Sequence, residues 1–121
     1  MKTILLIEDN PLNRRLFFDI LTAGGAKVIQ ACSALEAIML LKKVTPDLIL
    51  TDIGLPRISG IELCYYLKRI KKTKKIPLIA ITAFAFENDK KTLLSLGFDD
   101  VLIKPIDIFE LLNACGLNII F

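Results

Sequence analysis

Glu8 and Asp9, Asp52, Thr82 with Ala83, and Lys104 with Pro105 each follow a short apolar run in the chain. Three carboxylates, one ammonium and one hydroxyl form an unusual donor set if they meet. Two unit charges about 4 Å apart repel by about 4 kcal/mol at an effective dielectric near ~20. Three carboxylates in one crevice therefore need cationic compensation. Lys104 supplies one charge, and a divalent ion would supply two more. Magnesium suits the remainder, because it takes one or two carboxylates, several waters and phosphate oxygens. A phosphoryl group entering such a site meets a carboxylate nucleophile, a metal, an ammonium and a hydroxyl donor. Phosphoryl transfer uses those parts for in-line positioning and for neutralising charge on the equatorial oxygens. Taken singly, each residue has a plainer reading: a cap, a turn, or a hydroxyl satisfying backbone. The case rests on their sharing one rim.

The chain contains no histidine. That excludes Ser-His-Asp and Cys-His catalysis, a His-ligated metal, and service as a phosphohistidine donor. Any metal is held by oxygen, which points to magnesium or calcium. Cys32, Cys64 and Cys115 are widely spaced, form no CxxC pair, and read as reduced, mostly buried residues.

The elements that must position these groups follow from the apolar pattern. Residues 1–121 suit a single domain, and 54% apolar with 24% charged residues suit a packed core. The mean hydropathy of +0.57 fits strands buried on both faces, which read as continuous apolar runs. Thr3 to Ile7, Lys27 to Ala31, Asp47 to Thr51, Pro77 to Thr82 and Val101 to Ile103 read as strands. Between them lie helical patterns. Asn10-Pro11 is a helix start with a cap residue and a proline at the first position, and Leu12, Leu16, Phe17 and Ile20 recur at helical spacing until Gly24-Gly25. Ser33 with Glu36, and Ser59 with Glu62, are capping-box signatures. Leu35, Ile38 and Met39 follow the first of these, and Ile61, Leu63, Leu67 and Ile70 the second. Glu87 to Leu96 reads as a shorter helix stopped by Gly97, and Asp107 with Glu110 opens a last helix that Gly116 ends early.

This β-α alternation, five times over, predicts an α/β fold with a parallel sheet between layers of helices. Ligands of open sheets bind beyond the carboxyl ends of the strands. Glu8-Asp9, Asp52, Thr82-Ala83 and Lys104 all fall at such ends.

A membrane span is not expected. The longest apolar stretch, Ile76 to Phe86, contains Pro77 and falls short of the roughly 20 residues a spanning helix needs. No secretory leader is visible, because Glu8 and Asp9 interrupt the first apolar run. The expected location is the cytoplasm. The net charge is +3, and most of the excess sits in Lys68, Arg69, Lys71, Lys72, Lys74 and Lys75. With no aromatic residue interleaved, that run reads as a solvated helix end and loop in preference to an acidic or nucleic-acid partner surface.

The pieces Ile7-Glu8-Asp9-Asn10-Pro11, Pro46 to Leu50, Asp52 with Leu55-Pro56 and Gly60, Thr82-Ala83, Gly97 to Asp100 and Lys104-Pro105 together resemble the receiver domain of two-component response regulators, of the single-domain, chemotaxis-regulator-like kind. The resemblance covers about residues 2 to 115. It implies a flavodoxin-like (βα)5 three-layer sandwich with strand order 2-1-3-4-5. It implies that Asp52 is the phosphoacceptor and that Asp9, Asp52 and the backbone carbonyl of Gly54 ligate Mg2+ directly, with Glu8 acting through a water. Lys104 would pair with Asp52 and then with the phosphoryl oxygens. Thr82 would hydrogen-bond the phosphoryl group, aided by the Ala83 N–H. The Lys104–Pro105 bond is similar to one that is cis in this family. The donor would be a sensor histidine kinase or a histidine phosphotransfer protein, and the chain would catalyse only its own phosphorylation and dephosphorylation. No output module follows, so a downstream protein effector is expected, reached through the face of the fourth helix, fifth strand and fifth helix, with no direct contact to nucleic acid.

Three positions depart from the family pattern. Val101 stands where an aromatic residue is usual, three positions before the lysine; Phe84 and Phe86 in the neighbouring loop read first as core packing or the cap of a pocket, and second as an alternative switch. Gly54 stands where larger residues are common, and easier access of water to the phosphoryl group or a looser loop is expected from it. Gly116 and Asn118 interrupt what is often a longer helix, as expected of a trimmed chain or a piece of a longer protein. Val101 also keeps a second reading in view, a protein-binding module on the same fold that does not switch. A flavin protein is disfavoured, because Glu8-Asp9 would repel the phosphate. A P-loop or dinucleotide enzyme lacks its glycine motif, and a phosphatase with its nucleophile on the first strand would want a second Asp two residues after Asp9.

Overall fold

The computed structural model describes residues 1–83 and 87–118. Five strands alternate with five helices: β1 Thr3–Ile7, α1 Pro11–Ala23, β2 Lys27–Ala31, α2 Ala34–Leu41, β3 Leu48–Asp52, α3 Gly60–Leu67, β4 Leu78–Thr82, α4 Glu87–Leu96, β5 Asp100–Ile103 and α5 Ile108–Ala114. The strands form one parallel sheet in the order β2-β1-β3-β4-β5. The fold class and strand order expected from the sequence are therefore those observed.

The pleat divides the core in two. Leu5, Ile7, Ile49, Leu78, Ala80 and Val101 point to one face, where they join Ala37 and Leu41 of α2, Leu63 and Leu67 of α3 and Leu93 of α4. Ile4, Leu6, Leu50, Ile79, Ile81 and Leu102 point to the other, against Phe17 and Leu21 of α1 and Leu111 and Leu112 of α5. All five residues of β3 and of β4 are buried. Burial on both faces is what their unbroken apolar runs require.

The caps act largely as the sequence predicts. Asn10 accepts from the Leu12 and Asn13 N–H groups, Ser59 and Glu62 complete a capping box, and Asp107 accepts from Phe109 and Glu110. The box expected of Ser33 and Glu36 is half made: Ser33 accepts from the Glu36 N–H, but the Glu36 carboxylate accepts from the Cys32 N–H in place of that of Ser33. The apolar stripes are rotated from the simple pattern. Leu12 and Leu16 are exposed on α1 while Phe17 and Leu21 are buried, and α2 buries Ala34, Ala37 and Leu41 while Leu35 and Met39 are exposed. The residues α2 buries against the sheet are thus mostly small. Of the cysteines, Cys64 and Cys115 are buried as expected, but Cys32 is exposed.

β3 starts and ends one residue later than expected. The Asp47 carboxylate accepts from the Thr3 N–H at 2.8 Å, so Asp47 closes the start of β1 and leaves the strand proper to begin at Leu48. Asp52 consequently becomes the last residue of β3, paired with Ile81 of β4. Its backbone is fixed by the sheet rather than by a loop.

Candidate functional site

The carboxyl ends of β1, β3, β4 and β5 lie side by side, and the side chains beyond them converge. Asp52 is 8% exposed. Its Oδ1 accepts from the Gly54 N–H at 2.8 Å and its Oδ2 from Lys104 Nζ at 2.8 Å. Lys104 directly follows β5, and its own N–H donates to the Thr82 carbonyl at 2.8 Å, which ties the ends of β4 and β5 together. The Lys104–Pro105 peptide bond is cis, as the resemblance implied.

Glu8 is 1% exposed. Its N–H donates to the Ala31 carbonyl, its carbonyl accepts from the Arg14 guanidinium at 2.9 Å, and its Oε2 accepts from the Asn10 N–H at 3.2 Å. Its Oε1 lies 3.5 Å from Lys104 Nζ and is buried without a hydrogen-bond partner. Asp9 is exposed beside it. One carboxylate oxygen each of Glu8, Asp9 and Asp52 lies within 4.8 Å of the other two.

The charges distort one another. Burial pushes the Glu8 carboxyl up to about 7; the Asn10 N–H opposes this, and the Asp52 charge adds to it. Burial also tends to raise Asp52, but hydrogen bonds from Lys104 and Gly54 and the neighbouring Glu8 outweigh it, so Asp52 is held below its ordinary value. Burial would lower Lys104, and the carboxylates of Asp52 and Glu8 raise it instead. Asp52 is therefore the carboxylate whose charged form the site favours, and Glu8 the one whose charge burial disfavours.

The donor set fits Mg2+. All candidate ligands are oxygens, and among the described residues one buried carboxylate oxygen lacks a hydrogen-bond partner and Lys104 pairs with two of the three carboxylates. Thr82 is buried at the end of β4, while Ala83 and Gly54 are exposed on the rim. Glu8, Asp9, Asp52, Gly54, Thr82, Ala83 and Lys104 thus all lie at the carboxyl edge of the sheet, whereas Val101 packs in the core and Phe84 and Phe86 fall outside the described residues.

Two supports were not legible as such. Arg14 braces the Glu8 carbonyl from the first turns of α1; the signal is the fixed helix start at Asn10-Pro11, which sets Arg14 against β1. Gly60 allows α3 to begin against β3. A Cβ there would stand 2.5 Å from the Asp52 carbonyl oxygen and 2.8 Å from Ile53 Cα.

The fold is an open parallel sheet of the α/β class, with an acidic, lysine-bridged pocket at its carboxyl edge whose oxygen donors suit a divalent cation. The chain belongs to the response regulator receiver domain family, which matches residues 4–115. It is 41% identical over 107 residues to the polar-differentiation response regulator DivK of Brucella ovis, covering 88% of this chain and 87% of that protein. Among solved structures, the receiver domain of a sensor histidine kinase from Pseudomonas aeruginosa PAO1, with a magnesium ion coordinated in its active-site cleft, is 30% identical. The match has a TM-score of 0.86 and covers 95% of this chain and 94% of that one. The chemotaxis response regulator CheY4 of Vibrio cholerae shares the fold at a TM-score of 0.89, with 23% identity over 96% of this chain and 97% of that one. The function is accordingly that of a phosphoacceptor receiver domain in two-component signalling, not of a classical enzyme. Receiver domains of this family bind Mg2+ in the acidic pocket and interact with histidine kinases and effectors. Among the described residues no helix is long and apolar enough to cross a membrane.

Proposed function

We propose that Asp52 is the phosphoacceptor, and that the chain acts over residues 1–121 as one receiver unit taking a phosphoryl group from a phosphohistidine on a kinase or phosphotransfer protein. The observation that carries this is the placement of Asp52, ionised at the end of β3, with Oδ2 on Lys104 and Oδ1 on the Gly54 N–H. An Asp52 carboxylate oxygen attacks phosphorus as the P–N bond breaks. The imidazole leaves with that electron pair, and an aspartyl phosphate remains.

Asp9 and Asp52, with the Gly54 carbonyl, are the residues that would hold Mg2+, and Glu8 would act through a water. Bound there, Mg2+ neutralises charge on the phosphoryl oxygens. Lys104 is positioned to follow a transferred oxygen, because its Nζ already bridges Asp52 and Glu8. Thr82 would hydrogen-bond the phosphoryl group, with the Ala83 N–H beside it. The same residues would promote the later loss of the phosphoryl group to water, so the chain catalyses only its own modification. Output would pass to a protein effector through the face of α4, β5 and α5. We also propose a cytoplasmic location, which suits free cysteines with Cys32 exposed.

Incubation with acetyl phosphate, read by intact mass, tests the proposal. The expected result is one added phosphoryl group that requires Mg2+ and is lost in Asp52→Asn. Equal labelling of the variant would overturn it.

A further inference from the structure

The basic run that follows α3 is exposed, as expected, but it does not stand alone. The helices run antiparallel to the strands, so the last turns of α2 and α3 lie at the edge of the sheet opposite the phosphoacceptor site. Between them is a cleft of about 110 Å³. Its walls are apolar: Ile38 and Leu41 from α2, Tyr66 and Leu67 from α3, and Ile70 just beyond. Lys42 and Lys72 stand at its rim.

The cleft is preformed. Lys72 Nζ reaches across to the Leu41 carbonyl at 2.6 Å, and the buried Thr73 hydroxyl donates to the Leu67 carbonyl at 2.7 Å. Arg69 lies over the Tyr65 ring, 3.3 Å from its centroid, and donates to the Tyr65 carbonyl at 3.1 Å. The aromatics missing from within the basic run are thus supplied by the turn before it.

The segments that form the cleft carry charge of one sign. Residues 37–46 and 63–83 hold eight lysines and arginines and no aspartate or glutamate. Among the described residues, the one ion pair these cations make is Lys68 with Asp99 at 3.2 Å. An apolar recess the size of one side chain, ringed by uncompensated cations, is complementary to an apolar residue flanked by carboxylates.

We propose that this cleft docks an acidic segment of a partner protein, which inserts one leucine-like or aromatic side chain between α2 and α3 and presents carboxylates to the surrounding lysines. A polyphosphate backbone would satisfy the lysines and leave the apolar walls uncovered. That favours a protein segment over a nucleic acid. Because the cleft lies at the opposite edge from Asp52, this docking is independent of phosphorylation. It would hold a partner on the receiver in both of its states.

The test uses the full chain labelled for amide NMR and a synthetic peptide with one leucine between runs of glutamate. Saturable shifts confined to Ile38–Val44 and Tyr66–Thr73 are expected. The affinity should fall about tenfold when Lys42 and Lys71 are both replaced by glutamate, in a variant whose amide dispersion shows it folded. It should fall comparably when the leucine of the peptide becomes serine, and remain unchanged in Asp52→Asn. Binding of the serine peptide as tightly as the leucine peptide would overturn the proposal. So would shifts centred on the Asp52 rim, or tighter binding to duplex DNA or to vesicles of anionic phospholipid than to the peptide. None of these readouts depends on phosphorylation, so the phosphoacceptor reading and this one can fail separately.

Discussion

Lys104 Nζ stands 2.8 Å from Asp52 Oδ2, joining the end of β5 to the end of β3 across β4. The same ammonium is 3.5 Å from Glu8 Oε1. One cation thus holds two carboxylates that would otherwise repel at close range. Replacing Lys104 with alanine leaves both uncompensated. Metal-free Lys104→Ala is expected to lose about 2 kcal/mol of stability at neutral pH, a value discounted for the partial exposure of Lys104. Added Mg2+ should restore most of it, because the more negative site binds the ion more tightly. Denaturant midpoints with and without Mg2+ measure both effects, and an equal loss in excess Mg2+ would contradict this account.

The pH dependence of the metal-free protein should carry the signature of Glu8. Its folded-state value near 7 lies above the ordinary 4.5, so the folded state holds the extra proton between those limits. The stability from this group is fully present below about 4.5 and is lost as pH rises through about 7, on the order of 3 kcal/mol in all. Asp52 works in the opposite sense. It is depressed from 3.8, so its contribution is present above that value and is lost as pH falls through its folded-state value. Unfolding in chelator from pH 4.5 to 8 should therefore show a decline that Glu8→Gln removes and Mg2+ flattens. A decline that persists unchanged in Glu8→Gln would place its origin elsewhere.

The two glycines near Asp52 should respond differently to a methyl group. At Gly60 an added Cβ meets the Asp52 and Ile53 backbone at 2.5 and 2.8 Å, whereas at Gly54 it meets only Asp52 Oδ1 at 3.6 Å, an ordinary contact. Gly60→Ala should cost about 1–3 kcal/mol and slow phosphorylation, since the clash bears on the acceptor's own backbone. Gly54→Ala should be nearly neutral in stability. A larger residue, as in Gly54→Asn, should slow loss of the phosphoryl group several-fold by covering the open side of the site. Thermal melts and the decay of labelled protein by intact mass separate these outcomes.

Much of this was legible in the sequence because several kinds of signal agreed. β1 and β2 fall where the apolar runs place them, and the helix starts fall where Asn10, Ser33, Ser59 and Asp107 place them. Convergence of Glu8, Asp9, Asp52, Thr82 and Lys104 followed from their positions at strand ends. What was not legible depends on tertiary partners. β3 shifts by one residue because Asp47 caps Thr3 across the sheet. Exposure of Leu12, Leu16 and Leu35 depends on the rotation of each helix on the sheet, which periodicity does not set. Nothing in the sequence signalled that burial would push the Glu8 carboxyl up to about 7, or that Arg14 would brace its carbonyl.

Val101 is 2% exposed in the core between the sheet and α2–α4, in the same cluster as Leu93 and Phe98. The position that is usually aromatic in the family is filled here by a packed aliphatic residue. Val101→Tyr should therefore cost about 1–3 kcal/mol by overpacking, measured by denaturation. A neutral or stabilising result would show that a ring fits there and that the core around β5 can open to receive one.

The proposed signalling role rests on the phosphoryl group going to Asp52 and to no other carboxylate. Reductive trapping of the acyl phosphate with borohydride, followed by peptide mapping, locates it directly. The modified residue is expected at Asp52 alone, in the peptide spanning β3 and the start of α3. Modification at Glu8, Asp9 or Asp107, or at several carboxylates in similar yield, would contradict the account.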